Sequence, residues 1–377
     1  MALFRPFDNG MLPAEMVELI AQNLAQEDLG SFRQASRMCA AGVSKVFEQY
    51  IRCLRVRLAT ESSIANAIKI VTQPDLGAAV QELLLVDNLA ERPEWYDFSV
   101  DWSGSELPLE QSTATLARAH TVYHQQRSMR QSGSDRCLLT ELFKKSAQIG
   151  VKKIVFESRN HGGWDDDGHW DEDLQKDLVV EEWWWESYDS HCFTTVMFAV
   201  VDSGSTFDTF RMRAGDGCGI PMRQFGDFET GRTCEAALSR FKHIRLSLNV
   251  AWGSIAERKF IFMIAELRIC SLEIVLESYE TLRYGDPPAL DTVLDQEFPY
   301  IKVLEFGDMI ISWRSLAPFL KRNESLRELI FVRTTVRDVP RDLAGEERCS
   351  ERSHALGIPK VTETGAHFLS IKNSDSG

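Results

Sequence analysis

A short apolar pattern recurs along most of the chain and limits the folds that it can adopt. Each instance consists of an apolar residue, two other residues, a second apolar residue, one other residue and a third apolar residue. The instances are Val80/Leu83/Leu85, Val151/Ile154/Phe156, Phe207/Phe210/Met212, Phe241/Ile244/Leu246, Ile301/Leu304/Phe306 and Leu326/Leu329/Phe331, with a seventh, Ile269/Leu272/Ile274, slightly offset. Because each instance ends with the period of two that is typical of strands, the pattern predicts a series of short strands.

Helix-like segments precede most of these strands. They cover residues 138–148, 194–201, 233–240 and 312–321, and Ser312 is the expected N-cap of the last one. The middle apolar residues of the strands are 71 residues apart at first and 25 residues apart at the end. The spacing toward the C-terminus approaches that of leucine-rich repeats, and intervening loops explain the longer spacings toward the N-terminus. We therefore expect an α/β (α+β) chain with an irregular leucine-rich-repeat-like strand–helix solenoid over residues 59–332.

A doubly wound parallel sheet is the competing interpretation, because its strands also alternate with helices. Its strands are buried on both faces and read as continuous apolar runs. Here the positions between the apolar ones include Lys153, Arg211, His243, Arg245, Lys302, Glu305, Arg327 and Glu328. This alternation indicates one solvated face and favours the solenoid.

Residues 11–58 read as a separate module of three short helices. The first begins with Pro13 in its first turn, and Val17, Ile20 and Leu24 fall on one of its faces. Asp28 is the expected N-cap of the second helix, and the third spans the apolar residues from 43 to 54. A core of this size is marginal alone, so we expect a partner or neighbouring domain to cover the remaining apolar side chains.

This module resembles the F-box, the helical module that docks on the Skp adaptor of cullin ubiquitin ligases. The resemblance rests on Leu12-Pro13-x-Glu15, Ile20, Leu24, Asp28-Leu29, Arg33, Ser36-Arg37 and Phe47. It implies that five residues bury against the adaptor's C-terminal helices, namely Leu12, Pro13, Ile20, Leu24 and Leu29. An interface leucine contributes roughly 1.5 to 3 kcal/mol, so a few of them can dominate the affinity.

An F-box followed by weak, irregular repeats resembles the large fungal group of F-box proteins. The resemblance implies a non-catalytic subunit of a Skp–cullin–F-box ubiquitin ligase that binds the Skp adaptor, through it a cullin, and a protein substrate through the repeats. Two alternatives remain open at this point. One is a repeat-built interaction scaffold unrelated to ubiquitin, and the other is an acidic, metal-assisted hydrolase that uses residues 165–173.

Residues 157–189 form an acidic insertion. They hold twelve Asp or Glu against Arg159 and Lys176. His161, His169 and the surrounding aspartates are metal-ligand types, but the glycine and the terminal glutamate of a calcium loop do not line up. A run of like charges is more often a solvated loop, so we expect no metal and no cofactor. Since no catalytic motif is present elsewhere, we also expect no enzymatic activity.

A basic strip is expected on the solvated face of two neighbouring strands. If the period of two holds, Thr209, Arg211 and Arg213 on one strand and His243, Arg245 and Ser247 on the next point to the same side. Arginine forks suit carboxylate and phosphate groups. Arg211, Arg213, His243 and Arg245 are therefore the candidate substrate-binding residues, for an acidic or phosphorylated segment.

The remaining expectations concern the environment of the chain. Its net charge of −14 opposes binding to nucleic acids and to anionic membranes. No apolar stretch approaches the roughly 20 residues of a membrane span, and the first ten residues lack the apolar core of a signal peptide. We expect an intracellular protein, cytoplasmic and/or nuclear, with reduced cysteines buried in the core.

From residue 333 to 377 we expect a polar, poorly ordered tail.

Overall fold

The computed structural model of the chain describes residues 14–24, 31–32, 34–41, 51–58, 60–87, 109–158, 191–214, 220–221, 228–249, 255–277, 290, 293–307, 309–340, 358, 360–364 and 367–370. The helices are α1 (Ala14–Gln22), α2 (Glu61–Thr72), α3 (Pro74–Gly77), α4 (Leu109–Ser132), α5 (Ser134–Gln148), α6 (His191–Ser203), α7 (Phe228–Leu238), α8 (Ile255–Glu266) and α9 (Trp313–Arg322). The strands are β1 (Cys53–Arg57), β2 (Glu82–Asp87), β3 (Lys153–Ser158), β4 (Phe207–Ala214), β5 (Ile220–Pro221), β6 (Phe241–Asn249), β7 (Ser271–Glu277), β8 (Ile301–Gly307), β9 (Ile310–Ser312), β10 (Glu328–Val332), β11 (Thr335–Val339), β12 (Lys360–Thr364) and β13 (His367–Ser370).

Most strands join one parallel sheet. Their order is β1-β2-β3-β4-β6-β7-β8-β10-β12, and the short β5 pairs with β6. A second, smaller parallel sheet has the order β13-β11-β9. The large sheet follows the chain from one edge to the other without a reversal, whereas a doubly wound sheet changes direction at a switch point. The chain is thus mixed α/β with a mostly parallel sheet, and the doubly wound alternative is wrong.

The predicted strand centres lie in register across the sheet. Leu83 is opposite Ile154, Ile154 opposite Phe210, Phe210 opposite Ile244, and Ile244 opposite Leu272. After β7 the register shifts at an irregularity between Leu272 and the next residue, so Leu304 pairs with Ile274 instead.

The helices cover one face of the large sheet. Neighbouring helices of this layer contact one another, α2 with α5, α5 with α6, α6 with α7, and α7 with α8. The apolar strand residues that face them belong to one continuous core. Phe210 is completely buried there, and its ring centroid lies 6.2 Å from that of Phe193 on α6 and 5.3 Å from that of Phe241 on β6. Apolar burial against helices therefore fixes which side of each strand faces inward.

Asn323 is a buried polar residue that links the end of α9 to the segment before β8 through hydrogen bonds. Its side chain accepts a 2.6 Å hydrogen bond from the Phe298 N–H and donates to the carbonyl oxygens of Gln296 and Phe319. The residue is 2% exposed. Buried backbone groups need hydrogen-bond partners, and the Asn323 amide supplies them where water does not reach, including at the C-terminal end of α9. Nearby, Ser312 is the N-cap of α9 as predicted, and its Oγ accepts from the Arg314 N–H at 3.2 Å.

Two sequence expectations differ from the structure at the ends of the large sheet. The third predicted helix runs to Leu54, but Leu54 lies in β1, where Leu54 and Val56 are buried beside β2. The predicted polar tail contains β11, β12 and β13, and Val361 of β12 is buried against β10. Both errors have one cause, since pairing with an existing sheet stabilises short strands whose own apolar content is low.

The cysteines are partly where the sequence places them. Cys192 and Cys234 are buried, and burial raises the pKa of the Cys234 thiol to about 12. Cys53, Cys137 and Cys270 are exposed, so the expectation that the cysteines lie in the core is wrong for these three. Cys53 lies in β1, Cys137 in α5 and Cys270 directly before β7. None of them occupies a position of the recurring apolar pattern.

Candidate interaction surfaces

The side chains that alternate with the core residues form the other face of the large sheet, which we call the polar face. Two rows of cross-strand neighbours define it. The first row is Cys53, Glu82, Lys153, Thr209, His243 and Ser271, and the second is Arg55, Leu84, Val155, Arg211, Arg245, Glu273, Val303, Glu328 and Lys360. The rows run across the whole sheet, but the face is not solvated throughout, because Val155 of the second row is completely buried at 0% exposure.

Several charges on the polar face are already paired. The Arg245 guanidinium donates to Glu273 Oε2 at 3.4 Å and to Glu305 Oε2 at 3.3 Å. In the first row, His243 Nδ1 lies 2.8 Å from Ser271 Oγ. Lys153 forms an ion pair with Glu82 of the neighbouring strand, and Lys360 forms one with Glu328. Most of the charged side chains in the two rows of the polar face are therefore paired with an opposite charge.

Arg211 is the exception within the part of the chain that the structure describes. It is half-buried, lies directly opposite Arg245 in the register, and makes no ion pair there. The structure places Arg211, His243 and Arg245 on one face of neighbouring strands, and of the two arginines only Arg211 makes no ion pair with a described acidic side chain. Ser247 is buried at 3% exposure instead of lying on the accessible strip. The side chain of Arg213 lies outside the described residues.

A second polar cluster lies at the amino-terminal ends of α5 and α6. Asp135 Oδ2 lies 2.8 Å from His191 Nε2, and Thr195 Oγ1 lies 3.2 Å from the same nitrogen. Burial alone would raise the pKa of Asp135, but the hydrogen bonds from His191 and from the Arg136 N–H outweigh it and lower that pKa. Because both contacts use one imidazole nitrogen, the three residues do not form a relay of the catalytic-triad kind.

Sequence reasoning missed Glu273 and the Asp135–His191 contact. Glu273 directly follows the middle residue of the seventh pattern, so the strand register would have placed it beside Arg245. Asp135 and His191 are separated by the acidic insertion, and no spacing rule connects them. Long-range polar contacts of this kind become visible only when the helices are docked on the sheet.

The α1 helix presents an apolar surface of its own. Val17 and Ala21 are buried at 0% and 1% exposure, whereas Met16 and Leu19 are 41% and 52% exposed. Of the residues that the F-box resemblance assigns to the adaptor, Ile20 and Leu24 are half-buried. Leu12, Pro13 and Leu29 lie outside the described residues. Met16 and Leu19 are thus additional exposed apolar side chains that the motif did not single out.

The described ranges show neither a metal-ligand cluster nor a helix that could span a membrane. These ranges hold no group of three or more His, Cys, Asp or Glu side chains arranged around a common point. The acidic insertion 157–189, including the candidate ligands at 161–173, lies outside them beyond residue 158. Among the helices described, none is both long and apolar enough to cross a bilayer.

No model of a protein family matches the chain. No curated protein matches it either. The assignment of function therefore rests on the residues and surfaces described above.

Proposed function

We propose that the chain is the substrate-recruiting subunit of a Skp–cullin–F-box ubiquitin ligase. In this proposal residues 11–58 form an F-box that binds the Skp adaptor, and the following strands and helices form an irregular leucine-rich-repeat-like solenoid that binds a protein substrate. The chain itself is not catalytic. It raises the local concentration of a substrate lysine near the charged conjugating enzyme.

The observation that carries the proposal is the apolar surface of α1 within the F-box-like sequence. Met16 and Leu19 belong to the few large apolar side chains that are exposed among the described residues, and they lie one helical turn apart. A helix that buries Val17 and Ala21 on one side and exposes two large apolar residues on another is suited to a second protein. The motif residues Leu12 and Pro13 immediately precede it in sequence.

The strand order supports the repeat part of the proposal. Parallel strands that follow the chain from one sheet edge to the other, with helices that contact their neighbours, are what stacked strand–helix repeats require. Such stacking leaves the opposite face of the strands free for a ligand. The polar face has this position, since it lies opposite the apolar strand residues that belong to the core.

A binding experiment with purified proteins tests the adaptor step. The full chain is mixed with a Skp adaptor, and complex formation is measured by calorimetry and by co-elution. We expect binding by the wild-type chain, loss of binding by the double variant Leu12→Ala with Pro13→Ala, and strongly weakened binding by Met16→Ser with Leu19→Ser. The last two residues are exposed, so their replacement leaves the fold intact.

Phe262 provides the matched control. It is 49% exposed on α8, outside the F-box-like module, so Phe262→Ser removes a comparable exposed side chain. We expect this variant to bind the adaptor as the wild type does. A wild-type chain that fails to bind the adaptor would refute the ligase proposal, and equal binding by all variants would refute the assigned surface.

A further inference from the structure

A basic spot and an acidic spot lie near each other on the polar face. The basic spot is Arg211 on β4, whose charge no described acidic side chain compensates. The acidic spot is the pair Glu273 on β7 and Glu305 on β8, which share the single guanidinium of Arg245. Since two carboxylates meet one guanidinium, these three side chains together carry one excess negative charge at neutral pH.

We infer that this face binds an extended segment of the substrate that places an unphosphorylated Asp or Glu on Arg211 and a Lys or Arg beside Glu273 and Glu305. The inference deepens the proposed function and rests on it, because it takes the polar face to be the substrate-binding surface. Complementary charges give such a contact its specificity and its orientation.

The accessible part of the face runs across the strands. Arg245 and Glu273 of the second row are 30% and 31% exposed at their side chains, and Arg211 of the same row is half-buried. In the next row toward the carboxyl ends of the strands, Ser247 and Val275 are buried at 3% and 6% exposure, and Glu305, which pairs with Val275, keeps 21% of its side chain exposed. A ligand that follows the accessible side chains therefore crosses β4, β6 and β7 in turn.

The strand order sets the separation of the two charges in the bound segment. β4, β6, β7 and β8 are consecutive neighbours. Neighbouring strands are ~4.8 Å apart, which places β7 at ~10 Å and β8 at ~14 Å from β4. A polyproline II segment covers ~9 Å in three residues, and an extended one covers ~13 Å in four, with both ends on the same side. The acidic and basic residues are thus expected three or four positions apart, in either chain order.

The charge count favours a carboxylate over a phosphate. One uncompensated guanidinium matches the single charge of an Asp or Glu side chain and can hold it with two parallel hydrogen bonds. A phosphate carries about −1.5 to −2 charges at neutral pH. Its additional charge would meet the excess negative charge of Glu273 and Glu305, since the described second row between β4 and β8 holds no Lys or Arg besides Arg211 and Arg245.

A selection experiment tests this inference without the ligase core. A phage library of random peptides of about ten residues is selected on the immobilised full chain, and the enriched sequences are compared with those from Arg211→Glu. We expect wild-type selection to enrich acidic and basic residues three or four positions apart, and Arg211→Glu to lose the acidic preference. A synthetic peptide with the enriched sequence should bind Arg211→Glu roughly tenfold more weakly than it binds the wild type.

Arg337→Glu is the charge-matched control, because Arg337 is exposed on β11 in the smaller sheet. It should bind the peptide as the wild type does, and thermal unfolding of both variants verifies that they are folded. Replacing the acidic residue of the peptide by phosphoserine should not strengthen binding.

Three results would overturn the inference: no peptide enriched above the Arg211→Glu background, enrichment without the charge spacing, or tighter binding of the phosphorylated peptide. The adaptor plays no part in this assay, so a failed adaptor experiment and a failed peptide experiment are separate results.

Discussion

The two faces of the large sheet are stabilised in different ways. On the helix-covered face, Leu83, Ile154 and Phe210 are fully buried in one continuous core. On the polar face, neighbouring strands contact each other through pairs such as Arg245–Glu273, whose side chains stay about one third exposed. Apolar burial of whole side chains contributes far more free energy than such ion pairs do. Substitutions on the polar face should therefore change stability much less than substitutions in the core.

The largest effect is expected for a core phenylalanine. Phe210→Ala removes a ring that packs against Phe193 and Phe241 and leaves a cavity between sheet and helices. We expect it to lower the free energy of unfolding by about 3 to 5 kcal/mol, measured by urea denaturation. The exposed Phe262 on α8 is the matched control, and Phe262→Ala should cost less than about 1 kcal/mol. Similar losses for the two variants would show that burial does not determine how much a phenylalanine contributes to stability in this protein.

A buried polar residue comes next, because its loss leaves backbone groups without partners. Asn323→Ala removes the acceptor of the Phe298 N–H and the donor to the Gln296 carbonyl. Each buried group left unpaired costs about 1 to 3 kcal/mol, so we expect a loss of about 3 kcal/mol in the same denaturation assay. The nearby exposed residue Glu324 gives a control, since Glu324→Ala should change stability by less than about 0.5 kcal/mol. A near-neutral Asn323→Ala would mean that water replaces the amide.

The Asp135–His191 contact should make stability depend on pH. The folded pKa of Asp135 is lowered from 3.8, so the ionised carboxylate contributes stability above that value and loses it as the pH falls through the folded pKa. Asp135→Asn should therefore cost about 1.5 kcal/mol near pH 6, and the difference from the wild type should shrink near pH 3. Chemical denaturation at both pH values measures it. A difference that stays constant would assign the cost to packing instead of charge.

The inward positions could be predicted from the sequence because their requirement is local. Ile154, Phe210 and Ile244 recur at fixed places in the apolar pattern, and each faces the core as expected. The polar pairs could not be predicted in this way, since Arg245 is 28 residues from Glu273 and 60 from Glu305. Which of these residues meet depends on the strand register, including the shift after β7. β12 was missed for a related reason, since its place in the sheet depends on pairing with β10 and not on its own apolar content.

The smallest effect is expected on the polar face itself. A double-mutant cycle with Arg245→Gln and Glu273→Gln isolates their mutual contribution, measured as the difference between the double variant and the two single ones in urea denaturation. Since both side chains are about one third exposed, solvent screens the pair and its coupling should be about 0.2 to 1 kcal/mol.

Salt provides the check on this last value. The coupling should fall further when the ionic strength rises to about 1 M, because the screening length then becomes shorter than the ion pair itself. A coupling above about 2 kcal/mol that resists salt would mean that the Arg245 fork is a structural element of the sheet. Substitutions on the polar face would then lower the free energy of unfolding as strongly as substitutions in the core do. A loss of binding in such variants would then reflect unfolding.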